Sequence, residues 1–231
     1  FCGSVDEPTS HPDFFGIIEH FADWGAHINI ATNGSIRTTD WWTRLAKILP
    51  ASHKVTWGID GSDETSELYR EGSSFKKVQA NYRAFISAGG RANWQFIVFE
   101  HNEHQLETAR QLAKDQGFKE FKTIISHRDD TKDVKHKKKL ASAIKNPMPV
   151  EDPCISCKYG NQKRIFVNHM GNVIPCCHLN AKMMEYSVTD KQKDRFEDIL
   201  LENDYMNDIN LKNVSLEEAM TGKVWTAIQN S

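Results

Sequence analysis

No apolar run in these 231 residues approaches the length of a membrane span, so the sequence predicts no membrane partner. No secretory signal opens the chain. Its five cysteines lack regular disulfide spacing, which points to a reducing cytoplasm. Neither sign of charge dominates: 29 basic residues stand against 31 acidic ones, and a net charge of −2 argues against a general nucleic-acid binder. No glycine-rich phosphate fingerprint follows any strand-like run. The chain also lacks an initiating Met. It begins Phe1-Cys2-Gly3, an apolar strand-like start already in progress, and we expect a fragment, a processed chain or a trimmed form.

What the chain does have is concentrated between Cys154 and Cys177. That stretch reads CISCKYGNQKRIFVNHMGNVIPCC and holds four of the five cysteines. Cys154 and Cys157 form a CxxC that can present two sulfurs to one metal. Asn168-His169-Met170-Gly171 reads as a hairpin turn between two apolar segments. Such a turn returns Cys176 and Cys177 toward the first pair. Thiolates gathered this way suit zinc or an iron–sulfur cluster. A reduced structural pair or a disulfide is the plainer alternative.

Upstream, strand-like and helix-like runs alternate. Phe15, Ile18, Phe21 and Ala22 share a helical face, and Gly25 ends that run. His27 to Ala31 is a short strand leading into Thr32-Asn33-Gly34. Asp40 can cap a helix with Trp42, Leu45, Ile48 and Leu49 inward. Val55 to Ile59 is a strand ending in Asp60-Gly61. Ser74 can cap a helix with Phe75, Val78, Tyr82, Phe85 and Ile86 inward. Trp94 to Phe99 is a nearly continuous apolar strand, as expected for one buried on both faces. Leu106, Ala109, Leu112 and Ala113 line another helix, and Phe121 to Ser126 is a further strand. This alternation is the pattern of parallel βα units. The expected fold class is α/β: a partial (β/α) TIM-type barrel of parallel strands plus a small Cys-rich C-terminal module.

The composition changes at Asp129. DDTKDVKHKKK has almost nothing to bury and reads as a solvated linker or exposed helix. Three prolines between Pro147 and Pro153 follow. We expect one unit over 1–146, with this linker at its end, and a second over 147–231. Ser215-Leu216-Glu217-Glu218 is a capping box opening a final helix through Ala219, Val224, Trp225 and Ile228.

Several motifs together make the chain resemble a radical S-adenosylmethionine enzyme with a SPASM or twitch-type C-terminal module. Asp6-Glu7-Pro8, followed by His11-Pro12, is similar to the family's GGEP loop, with Asp in place of the second Gly. Ile28 to Gly34, Val55 to Gly61 and Gln95 to Asn102 are similar to the family's third, fourth and fifth strands and their exits. Cys157, thirteen residues, Gly171, four residues and Cys176 match the opening of a SPASM module.

The resemblance implies an S-adenosylmethionine site with Asp6, Glu7, Thr32, Asn33 and Asp60 near the cofactor. A carboxylate at Glu7 is apt for accepting from a cationic ammonium. Gln95 and Asn102 are weaker candidates; catalytic residues are not assigned. The resemblance also implies an auxiliary 4Fe–4S cluster on Cys154, Cys157, Cys176 and Cys177, and zinc is the alternative metal. The implied partners are a peptide or small-molecule substrate and an electron donor such as a flavodoxin or ferredoxin. The family's defining CxxxCxxC, which holds the radical-generating cluster, is absent from these residues. We therefore expect a fragment of an oxidoreductase that is inactive by itself. Two other readings remain: a non-redox binding protein with a zinc-stabilised Cys knuckle, and a barrel aldolase or isomerase using Asp60 and Glu100.

Overall fold

The computed structural model describes residues 1, 7–62, 64–70, 72–125, 165–168, 170–174 and 205–229. They fall into two compact units, Phe1–Pro147 and Met148–Ser231.

In the first unit four strands form one parallel sheet in sequential order: β1 (Asn29–Thr32), β2 (Lys54–Gly58), β3 (Ala92–Val98) and β4 (Glu120–Ile125). Helices α1 (Phe14–Asp23), α2 (Thr39–Ile48), α3 (Glu64–Tyr69), α4 (Phe75–Ser87) and α5 (Leu106–Asp115) precede and connect them. Parallel strands need crossovers of this kind, and the result is a partial β/α barrel.

One face of the sheet takes the core. Ile30, Val55, Trp57, Trp94 and Phe96 are buried there with Trp42, Leu45, Tyr82 and Phe85 from α2 and α4. Trp42 and Trp57 meet at 4.4 Å between ring centroids. An aromatic pair of this kind adds about 0.5–1.5 kcal/mol beyond its area burial. The opposite face carries half-buried Thr56, Gly58, Gln95 and Ile97 and an exposed Lys122. From Trp94 to Val98 β3 therefore alternates between its faces, whereas its nearly continuous apolar sequence predicts burial on both; Asn93 is buried on the face it shares with Gln95 and Ile97.

Local chemistry differs from the sequence reading at identifiable places. Thr38, not Asp40, caps α2: its side chain accepts from the Trp41 N–H, and Asp40 falls in the first turn. Ser74 occupies the N-cap of α4 but makes no side-chain capping bond. On α1 the buried residues are Phe14 and Ile18, while Phe21 is 37 % exposed. Trp24 is 76 % exposed, whereas Trp42, Trp57 and Trp94 are core.

The second unit contains the expected hairpin, β5 (Phe166–Val167) against β6 (Val173–Ile174), antiparallel. Gly171 turns it with φ +91°, a conformation that favours glycine. The Asn168 side chain accepts from the backbone N–H groups of Met170 and Asn172. Asn210 donates to the Met170 carbonyl and to Asn172 Oδ1, tying the turn to the end of α6 (Tyr205–Ile209). The capping box is present at α7 (Leu216–Thr221), but the single final helix is not. Gly222 adopts ψ 173° and breaks the run, so α8 (Lys223–Gln229) is separate. Val173, Ala219 and Trp225 form the small core.

Candidate functional site

The C-terminal ends of β1, β2 and β3 carry two hydrogen-bonded groups. The first centres on Glu7. Its Oε1 accepts from the Thr9 N–H at 3.2 Å, the Thr9 hydroxyl at 2.7 Å and the Thr32 hydroxyl at 2.8 Å. Its Oε2 accepts from the Asn33 N–H at 2.8 Å. This carboxylate caps the short turn Pro8–Ser10 and docks it on the end of β1. Oε1 is saturated; Oε2 keeps an acceptor site, which suits an ammonium group.

Thr32 and Asn33 are brought to Glu7, Thr32 through its hydroxyl and Asn33 through its backbone N–H. The Thr32 hydroxyl also accepts from the Gly34 N–H at 2.9 Å. Asn33 Oδ1 accepts from the Ser35 N–H and hydroxyl. It is the Asn33 backbone that reaches Glu7.

Arg37 completes this group and was not singled out by sequence. Its Nε donates to the Thr9 carbonyl at 2.7 Å, and its Nη2 donates to the Ser10 and His11 carbonyls at 3.0 and 2.8 Å. Its guanidinium lies over the Trp41 ring, 5.4 Å from the centroid. Arg37 has φ +67°, alone among the described non-glycine residues. That region costs an L-residue about 1–2 kcal/mol.

The second group centres on Asp60. It is fully buried. Oδ2 accepts from Arg70 Nε and lies 2.8 Å from Nη2, and Oδ1 accepts from the Ile97 N–H at 2.7 Å. Burial pushes the Asp60 carboxyl up, while the Arg70 guanidinium and the Ile97 N–H pull it down. Arg70 covers Gly58, where an added Cβ would lie 2.7 Å from Nη2. Asn102 is buried beside Asp60, and Gln95 sits half-buried on the sheet face away from the core. His101 stacks on Phe99 at 5.3 Å, and desolvation lowers its pKa. Arg70 carried no signal in sequence beyond its charge, because only the fold sets it against a buried carboxylate.

Asp6 and the cysteines Cys154, Cys157, Cys176 and Cys177 lie outside the described residues. Cys2 lies outside them too. The described hairpin ends at Ile174, two residues before Cys176. Among the described residues no group of three His, Cys, Asp or Glu side chains is placed to hold a metal. Among them, too, no helix is long and apolar enough to cross a membrane.

Residues 153–229 match the family model of SPASM, described as an iron–sulfur cluster-binding domain. The matched span includes all four clustered cysteines, and it lends no support to zinc. Solved structures share the fold. SuiB of Streptococcus suis bound to S-adenosylmethionine superposes with TM-score 0.61 at 13 % identity, over 97 % of this chain and 55 % of that one. A second SuiB crystal structure gives TM-score 0.61 at 11 % identity, over 98 % and 56 %. A polyhistidine-tagged anSMEcpe with bound AdoMet gives TM-score 0.53 at 14 % identity, over 96 % and 63 %. Residues 153–229 are thus of SPASM type, and the chain shares the fold of these structures.

At these identities the solved structures speak for the fold alone. The chain spans between about half and two thirds of their length. No curated protein sequence matches it significantly.

Proposed function

We propose that the chain supplies S-adenosylmethionine-binding and auxiliary-cluster parts of a radical oxidoreductase that modifies a peptide or small metabolite. The observation that carries this reading is an iron–sulfur domain match on a chain whose first unit docks Glu7 and the turn after it on the end of a barrel strand. Four roles follow. Asp6 and Glu7 bind the amino-acid end of S-adenosylmethionine, with Glu7 Oε2 accepting from its ammonium. Thr32 and Asn33 hold Glu7 in place. Asp60 borders the nucleoside side and orients Arg70. Cys154, Cys157, Cys176 and Cys177 supply thiolates to an auxiliary 4Fe–4S cluster, which provides an electron path when bound.

A flavodoxin or ferredoxin is the fitting electron donor, and a reducing cytoplasm suits unpaired thiolates. Radical generation needs three further thiolates arranged as CxxxCxxC, which these 231 residues do not contain. The chain by itself therefore binds its auxiliary cluster without cleaving S-adenosylmethionine.

Anaerobic reconstitution with iron and sulfide tests this. The expected product holds iron and acid-labile sulfide in equal amounts, loses both in Cys157→Ser, and yields no 5′-deoxyadenosine above a protein-free control. One equivalent of zinc without sulfide would replace the cluster reading with a structural knuckle. 5′-Deoxyadenosine above the control would overturn the inactivity.

A further inference from the structure

Every backbone carbonyl from Glu7 to His11 already has a donor. Ser10 N–H donates to the Glu7 carbonyl at 2.9 Å, and His11 N–H donates to that of Pro8 at 3.3 Å. The carbonyls of Thr9, Ser10 and His11 take the three bonds from Arg37. Two clamps therefore hold this loop, and they come from the end of β1 and the segment that follows it. Thr32 and Asn33 grip the Glu7 end, and Arg37 grips the other.

The segment bearing Arg37 is itself anchored. Buried Asn81 on α4 donates to the Gly34 and Ile36 carbonyls, and Trp42 Nε1 donates to Ile36. A continuous chain of bonds thus runs from the helix layer, through Arg37, to the loop that carries Glu7. Backbone strain held in place by surrounding contacts marks a geometry the fold over-determines, and Arg37 with φ +67° is such a case.

We propose that Arg37 is a positioning residue for cofactor binding: it holds the Glu7–His11 loop so that Glu7 Oε2 stays aimed at the ammonium of S-adenosylmethionine. Arg37 has no ligand contact in this role and acts through Glu7. The inference rests on the proposed S-adenosylmethionine site.

The test uses the full-length, cluster-loaded protein and two variants. Arg37→Gly keeps the left-handed backbone at no steric cost and deletes the guanidinium. Arg37→Asn tolerates the same conformation and guards against a folding defect. S-Adenosylmethionine affinity is read by equilibrium dialysis, and amide exchange is read at Ser10 and His11.

In both variants, exchange at these two amides rises as the loop opens locally. Affinity falls by about tenfold or more, the loss of one charge-assisted hydrogen bond. Arg37→Lys, which cannot span three carbonyls, restores neither. Wild-type affinity in both variants, with the wild-type protein binding, overturns the role of Arg37 alone. Failure of the wild-type protein to bind S-adenosylmethionine overturns the cofactor site and this role with it.

Discussion

Asn102 donates its Nδ2 to the backbone carbonyl of Asp60 at 2.6 Å, so a side chain joins the end of β2 to the turn after β3. The same nitrogen donates to the Ile97 carbonyl, and Oδ1 accepts from the Phe99 N–H at 2.7 Å. With Asp60 Oδ1 on the Ile97 N–H, the exits of both strands are held by two buried side chains.

Replacing Asn102 by Ala strands the Phe99 N–H and two carbonyls inside the protein. Each buried group left unpaired costs about 1–3 kcal/mol, so Asn102→Ala should lose at least about 3 kcal/mol in urea unfolding. A loss under about 1 kcal/mol, the net worth of one bond, would mean the strand exits are held by something else.

Gly34 and Gly25 separate steric crowding from backbone strain. Both have positive φ, +68° and +72°. A Cβ at Gly34 would sit 2.4 Å from the Trp57 ring, whereas at Gly25 it meets nothing within 4 Å. Both alanine variants carry the left-handed penalty, and Gly34→Ala should cost about 1–3 kcal/mol more through overpacking. Equal losses would show that Trp57 has room to move.

The α7 capping box has a pH signature. Ser215 Oγ accepts from the Glu218 N–H, and Glu218 Oε2 accepts from the Ser215 N–H at 2.8 Å. That bond lowers the Glu218 pKa below its ordinary 4.5. A depressed carboxyl stabilises the fold above its unfolded pKa, and the contribution is lost as pH falls through the folded value. Ser215→Ala should cost about 1 kcal/mol at neutral pH. Protection of the Ser215 amide, relative to the intrinsic exchange rate at each pH, should fall only below pH 4.5, and a fall already under way above that value would contradict the box.

His101 should titrate low. Desolvation favours its neutral imidazole, and the nearby Asp60 carboxylate offsets that only in part. Its NMR midpoint is expected below 6.5, the ordinary value. The sign follows: its contribution is present above 6.5 and fades as pH drops through the folded pKa. A midpoint above 6.5 would mean that the Thr65 backbone bond and the Asp60 carboxylate together outweigh burial.

The βα alternation, the inward faces of α2 and α4, the hairpin at Gly171 and the Ser215–Glu218 box were legible from residue order. Each depends on neighbours a few positions apart, where periodicity and turn chemistry act directly. Thr38 in place of Asp40 as the α2 cap is a slip of two residues, because both side chains can cap and local pattern does not choose between them. The break at Gly222 was missed because apolar spacing continues across it.

The sequence by itself determined which segments become strands and helices, where the cysteines cluster, and that an Asp-Glu-Pro loop precedes the first described strand. Tertiary structure alone decided the partners. Glu7 meets Thr32 and Asn33 across 25 and 26 positions, and Arg37 reaches back 26–28 positions to the same loop. Asp60 becomes a buried anchor because Arg70 and Ile97 close over it. Charge and polarity are written in the sequence, but the donor each carboxylate receives is set by chain crossings that bring distant loops to one end of the sheet.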